Sequence, residues 1–170
     1  MKTLLLFFGV TVVLLFGGCS KNGSEAGQAA MAVEELPEQE VVDIVNAVNG
    51  KNVAQAGALL KKNPKLVGAT FENGGPVNGW PLLVIAASNN DKAMVELLLR
   101  SGADVNAVNY SGEAAIHYAV VRGAKEIVGL LIAKKAEVNA KTEIGVTPLK
   151  TATSSGKNDI AAMLKAAGAK

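Results

Sequence analysis

Aromatic side chains are scarce in this chain: 4% of 170 residues, against 49% apolar residues in all. With alanine, valine, leucine and glycine supplying most of the interior, thin helices set close together suit it better than a broad sandwich. A large excess of either charge is missing as well. The formal net charge is +2, and setting aside the first 18 residues removes only Lys2 from the count, so the body is nearly neutral. Without a run of lysine or arginine there is no electrostatic case for nucleic acid. Histidine occurs once, as His117, and cysteine once, as Cys19. One imidazole with no second soft ligand makes a poor metal site, so no metal is expected. Neither a dinucleotide fingerprint nor a pair of catalytic acids is present, and no cofactor is expected. The glycine-rich "ENGGPVNG" at 72–79 lacks the lysine and the helix start of a phosphate loop, and reads as an extension of a turn.

What is present starts at the N-terminus. The first 24 residues contain no acid, and Lys2 precedes an apolar stretch of 13 residues, Leu4 to Phe16. That stretch is short of the roughly 20 residues a membrane span needs and suits the core of an export signal. Phe16-Gly17-Gly18 then leads into Cys19. These residues resemble a bacterial lipoprotein signal, with Phe16 standing where leucine is usual. The resemblance implies a signal peptide over 1–18, cleavage before Cys19, and lipid on that cysteine as the membrane anchor. The alternatives are a plain export signal with a leftover thiol, or a short membrane anchor. Residues 19–35 are small and polar with no sustained period, and read as the lipidated cysteine followed by a flexible tether. A lipid-anchored position in the cell envelope is expected, on the outer membrane facing the periplasm if the source is Gram-negative.

The rest of the chain repeats itself. Gly79, Gly112 and Gly145 are 33 residues apart, as are Ala86, Ala119 and Ala152, and as are Asn106 and Asn139. Met94, Val95, Leu97 and Leu98 recur as Ile127, Val128, Leu130 and Leu131, and again as Ile160, Ala161, Met163 and Leu164. That spacing makes one apolar helix face. The pairs Ala86-Ala87, Ala119-Val120 and Ala152-Thr153 are small enough to let the preceding helices approach closely. The box "TPLK" at Thr147–Lys150, "AAIH" at Ala114–His117, and the phrase "GADVNA" at 102–107 resemble ankyrin repeats, whose unit is a turn and two antiparallel helices. The resemblance implies an all-α solenoid of four stacked helix pairs over 36–170, with units near 38–70, 76–108, 109–141 and 142–170. The first, "VVDIVNAVNGKNVAQAGALLKKNPKLV" at 41–67, is degenerate and connects through six extra residues, and the last acts as a C-terminal cap. Gly102 suits a left-handed helix end, whereas Lys135 occupies the equivalent place. Either the turn is remodelled there or that unit is locally weaker.

His117 falls on the family's histidine position, which implies a structural ring bonded to neighbouring backbone. Pro148, Gly79, Gly112 and Gly145 are likewise structural by register. The resemblance also implies a concave face lined by turn tips and first helices, where a partner protein is read. Those positions hold Val77, Asn78, Trp80, Ser88 and Asn89 in the second unit. In the third they hold Tyr110, Ser111, Glu113, Val121 and Arg122, and in the fourth Glu143, Ile144 and Val146. Trp80, Tyr110 and Arg122 are of the types that dominate binding hot spots, and Ile144 and Val146, expected to be exposed, add an apolar component. Trp80 could instead pack under the 63–79 loop with Phe71. A non-enzymatic, lipid-anchored module that docks or inhibits an envelope protein or toxin is the expected function. An envelope hydrolase using His117 with a nearby serine, or a passive structural lipoprotein, are the alternatives.

Overall fold

The computed structural model describes residues 36–71 and 79–170. The signal peptide, Cys19 and the tether lie outside the described residues, as do Val77 and Asn78. The described residues form eight α-helices in four antiparallel pairs. These are α1 (Glu38–Asn49) with α2 (Val53–Lys62), α3 (Leu82–Ser88) with α4 (Lys92–Arg100), α5 (Ala115–Arg122) with α6 (Lys125–Ala133), and α7 (Pro148–Ser154) with α8 (Asn158–Ala166). First helices pack on first helices in the order α1, α3, α5, α7, and second helices stack behind them as α2, α4, α6, α8. No described helix is long and apolar enough to cross a membrane. Extended pairing among the described residues is confined to a two-residue ribbon, β1 (Thr70–Phe71) against β2 (Trp80–Pro81), and one bridge between Val108 and Ala114.

Seven or eight residues are too few for a helix to persist alone. The inner first helices, α3 and α5, exist because neighbours cover them on both sides. Leu82 through Ala87 are all buried, and so are Ala115, Ile116, Ala119 and Val120. In the last pair the pattern relaxes: Ala152 is buried but Thr153 is exposed. The second helices bury the predicted face, through Met94, Val95 and Leu98, then Ile127, Val128 and Leu131, then Ile160, Ala161 and Leu164.

Two series of left-handed residues keep the pairs in step. Gly102, Lys135 and Gly168 end the second helices at φ 92°, 64° and 93°. The turn at Lys135 is thus not remodelled; a lysine adopts the glycine conformation. The tight connection inside each pair places Lys51, Asn90, Gly123 and Gly156 at φ 55°, 53°, 71° and 67°. The first unit follows this second series but not the first. Asn52 caps α2 as Asp91 caps α4, each accepting from the amide three residues on. Beyond α2, however, Asn63 stays extended at φ −137° and starts a 3-10 turn, Pro64–Gly68, which takes up part of the extra length.

The signature box is divided between two units. At α7, Thr147 supplies the cap, its Oγ1 accepting from the Lys150 amide at 3.3 Å, and Pro148 occupies the first turn. At α5, Ala114 has no hydroxyl to offer; instead the His117 ring reaches back and its Nδ1 accepts from the Ala114 amide at 3.1 Å. Pro81 precedes α3 with neither bond. Between units, Asn106 Oδ1 accepts from the Glu137 amide at 2.8 Å and Asn139 Oδ1 from the Lys170 amide at 2.9 Å. The 33-residue recurrence of asparagine therefore has a cause: each clasps the corresponding loop of the unit that follows. Exposed ion pairs, Lys92–Glu126 at 2.8 Å and Lys125–Asp159 at 3.0 Å, bridge successive second helices and add little in water.

Candidate functional site

The turn that opens each unit is a small hairpin. Asn109 N–H donates to the Glu113 carbonyl, and Asn109 Oδ1 accepts from the Glu113 and Ser111 amides. Thirty-three residues on, Thr142 N–H donates to the Val146 carbonyl while its Oγ1 accepts from the Val146 amide. The two tips are joined directly, the Glu143 amide donating to the Ser111 carbonyl at 3.0 Å. Gly112, at φ 71°, makes that approach possible, since a Cβ there would meet the Glu143 nitrogen at 3.1 Å. Gly145 has the same backbone at φ 73° but faces open space.

Between these tips and α5 and α7 lies an open groove of about 280 Å³. Its lining includes Ser111, Glu113, Val121, Glu143, Ile144 and Val146, six of the positions assigned by register to the partner face, together with His117 and Thr151. Ile144 is 86% exposed and Val121 55%, held out by hydrogen-bonded turns and a helix end, whereas Val146 is half-buried, not exposed as expected. His117 forms part of the floor at 4% exposure. Its Nδ1 accepts from Ala114, so its Nε2–H is the donor to the Ala140 carbonyl at 3.2 Å, which ties the third unit to the loop leading into the fourth. Burial lowers the imidazole's pKa from its ordinary value, outweighing the pull of the Ala140 carbonyl and of Glu113. With both nitrogens taken by backbone, the ring has no lone pair free to activate Ser111, although both residues line the same groove. Among the described residues no group of three His, Cys, Asp or Glu side chains is placed to hold a metal ion.

A family model described as ankyrin repeats (three copies) matches residues 44–142 and 83–170. The chain belongs to the ankyrin repeat family. Relatives include the NAD-capped RNA hydrolase NUDT12 of Pongo abelii and of Macaca fascicularis, each 35% identical over 55% of this chain and 20% of the relative. The NUDT12 of Homo sapiens is 36% identical over 44% of this chain and 15% of the relative. The ankyrin chain thus spans about a fifth or less of the length of these relatives, mostly in the repeat region.

Two of the residues favoured as hot spots are engaged inside this ankyrin stack. Trp80 does not project from its turn. It is half-buried and packs sideways on the third unit, 5.1 Å from the Tyr118 ring and edge-on to Tyr110 at 6.5 Å. Of the 63–79 loop under which it could have packed, residues 72–78 lie outside the described residues, but the backbone of Trp80 pairs with Phe71. Arg122 donates from Nε to the Ser88 carbonyl at 2.7 Å, a cation at the C-terminal end of α3 where the helix dipole favours it. Ser88 spends its hydroxyl on the Ile85 carbonyl, and the half-exposed Asn89 has a buried Nδ2 with no protein acceptor. Tyr110 does stand out, at 58% exposure.

Sequence reasoning missed Asn109 and Tyr118. Asn109 is 2% exposed and organises the third turn. Its Nδ2 donates to Glu113 at 3.1 Å and to Tyr118 Oη at 3.3 Å, while Tyr118 Oη–H donates to the same Glu113 oxygen at 2.6 Å. Burial and the Glu113 carboxylate push the phenol well above its ordinary pKa. Asn109 and Thr142 share a register, and both side chains accept from the amide four residues on.

Proposed function

We propose that this protein binds another protein through the turn face of its third and fourth units, held in the cell envelope by lipid on Cys19, and that it docks or inhibits an envelope protein or toxin. Ankyrin repeats are interaction modules. The observation that carries the reading is where apolar surface is left bare. Of the five large hydrophobic side chains exposed among the described residues, Val108, Tyr110, Val121 and Ile144 lie on or beside these turns, and only Val42 lies elsewhere. Such a concentration on a rigid, hydrogen-bonded frame is what a partner site needs. His117, Pro148 and the turn glycines serve this face by fixing its backbone. The signal-like leader supports the anchor, with the outer membrane facing the periplasm as the location in a Gram-negative source.

A hydrolase built on His117 is the weaker reading, because the backbone occupies both ring nitrogens. The hydrolase activity in the relatives' name is not transferred, since the likeness covers only about a fifth of them. The test is crosslinking of the membrane-anchored chain followed by mass spectrometry, comparing wild type with a Val121→Asp, Ile144→Asp double variant. A crosslinked partner retained by wild type and depleted about tenfold in the folded variant is expected. Equal recovery would assign the partner to another face. Labelling with radioactive palmitate, lost in Cys19→Ala, checks the anchor separately.

A further inference from the structure

The chemistry of the groove selects among partner side chains. The groove is open and of about 280 Å³, near the low end of the roughly 300–1,000 Å³ of sites that enclose a small ligand. The space suits one side chain of a docked segment. Its walls include Val121, Ile144 and Val146, and its charged members are Glu113 and Glu143, with no lysine or arginine in the lining. His117 adds no positive charge, because its Nδ1 accepts a hydrogen bond. Neither acid belongs to an ion pair among the described residues. Both bonds to Glu113, from Tyr118 and Asn109, end on Oε2 and come from neutral donors, so the carboxylate keeps its negative charge. Glu143 is exposed, and the bond from its own amide to the Ser111 carbonyl fixes where it stands.

We infer that the groove receives an arginine or lysine side chain of the partner protein, its methylenes against Val121 and Ile144 and its cationic head between Glu113 and Glu143. This rests on the reading of the turn face as the docking face and supplies its selectivity. Long cationic side chains bury their stems on apolar surface while the charge stays hydrated, which is what an open groove with aliphatic walls and acidic members offers. An acidic partner residue would meet two carboxylates and no counter-charge, and is disfavoured at the same place.

The test titrates the ¹⁵N-labelled full chain in detergent micelles with three capped tripeptides, Val-Arg-Val, Val-Gln-Val and Val-Leu-Val, following the amides of Ser111, Glu143 and Ile144. The arginine peptide should bind about fivefold more tightly than the glutamine peptide, an advantage that shrinks in about 0.5 M salt. Glu143→Gln, a fully accommodated surface change, should remove most of that advantage while Trp80 fluorescence stays as in wild type. Equal binding of the arginine and leucine peptides would overturn the inference yet leave the docking face in place. If no peptide moves these amides the inference also falls, and the docking face is then judged by the Val121/Ile144 crosslinking alone.

Discussion

Lys135 sits where its two register mates are glycine, and the backbone has not moved to spare it: φ is 64°. Its side chain is exposed, and its amide donates to the Ile132 carbonyl at 2.9 Å, so the conformation is held by the loop closure and not by the side chain. The left-handed region costs a residue with a Cβ about 1–2 kcal/mol. Glycine avoids that, but returns about 0.4–1 kcal/mol through the greater freedom of the unfolded chain. Losing a cation near the end of α6 removes a further few tenths, about 0.3 kcal/mol. Lys135→Gly should therefore stabilise by about 0.5 kcal/mol net, from these three contributions. Lys135→Ala is the sharper comparison, because it loses the same charge and keeps the strain. The glycine variant should exceed the alanine variant by about 0.8 kcal/mol, or about 0.4 M in urea midpoint at a slope near 2 kcal/mol/M. Urea unfolding, followed by helical circular dichroism and by Trp80 fluorescence, measures both. If alanine stabilises as much as glycine, the strain assigned to this residue is absent and the argument fails.

The turn glycines offer a second contrast. Gly112→Ala should destabilise by about 1–2 kcal/mol more than Gly145→Ala, because the two share a backbone strain but only the first drives a Cβ against the Glu143 amide; equal losses in urea would show that the tips are not coupled. Asn106→Ala should cost about 1 kcal/mol and speed hydrogen exchange at the Glu137 amide, the group it clasps; unchanged exchange there would remove the clasp. His117 is held below its ordinary pKa in the fold, so in the window below about pH 6.5 the unfolded chain binds more protons than the folded one. Its share of stability is full above that pH and falls as the pH is lowered toward the folded value. His117→Gln should flatten this part of the stability profile while lowering its plateau, and a wild-type slope in the variant would refute the assignment.

The repeat architecture was legible because its determinants are periodic. Small residues in the first helices, the apolar face of the second and the glycines all recur at a fixed interval, and each has one physical reason to do so. Trp80 was harder. Its place in the turn says that it leaves its own unit, but not that Tyr118 lies beside it on the next one, a contact between elements whose registers say nothing about ring orientation. The bond of Arg122 was hidden for a related cause, since its acceptor is a backbone carbonyl, Ser88, that no sequence pattern marks. The groove residues Ser111, Glu113, Val121, Glu143 and Ile144 were named by register and share one cleft, while Val146 proved half-buried because it closes the fourth hairpin. The network around Asn109 stayed hidden because asparagine in a turn is commonplace and its burial is visible only in three dimensions.

The asparagine clasps say something about how such a chain can change length. Asn106 and Asn139 each give a side-chain oxygen, but what receives them is main-chain N–H, at Glu137 and Lys170, which every amino acid except proline possesses. The coupling thus demands a particular letter from the donor and almost none from the recipient. A gene segment encoding a whole unit could be duplicated in place and its copy would be gripped at once, before any adaptation of its surface, whereas gain or loss of a single codon inside a unit would slide the amide out of reach.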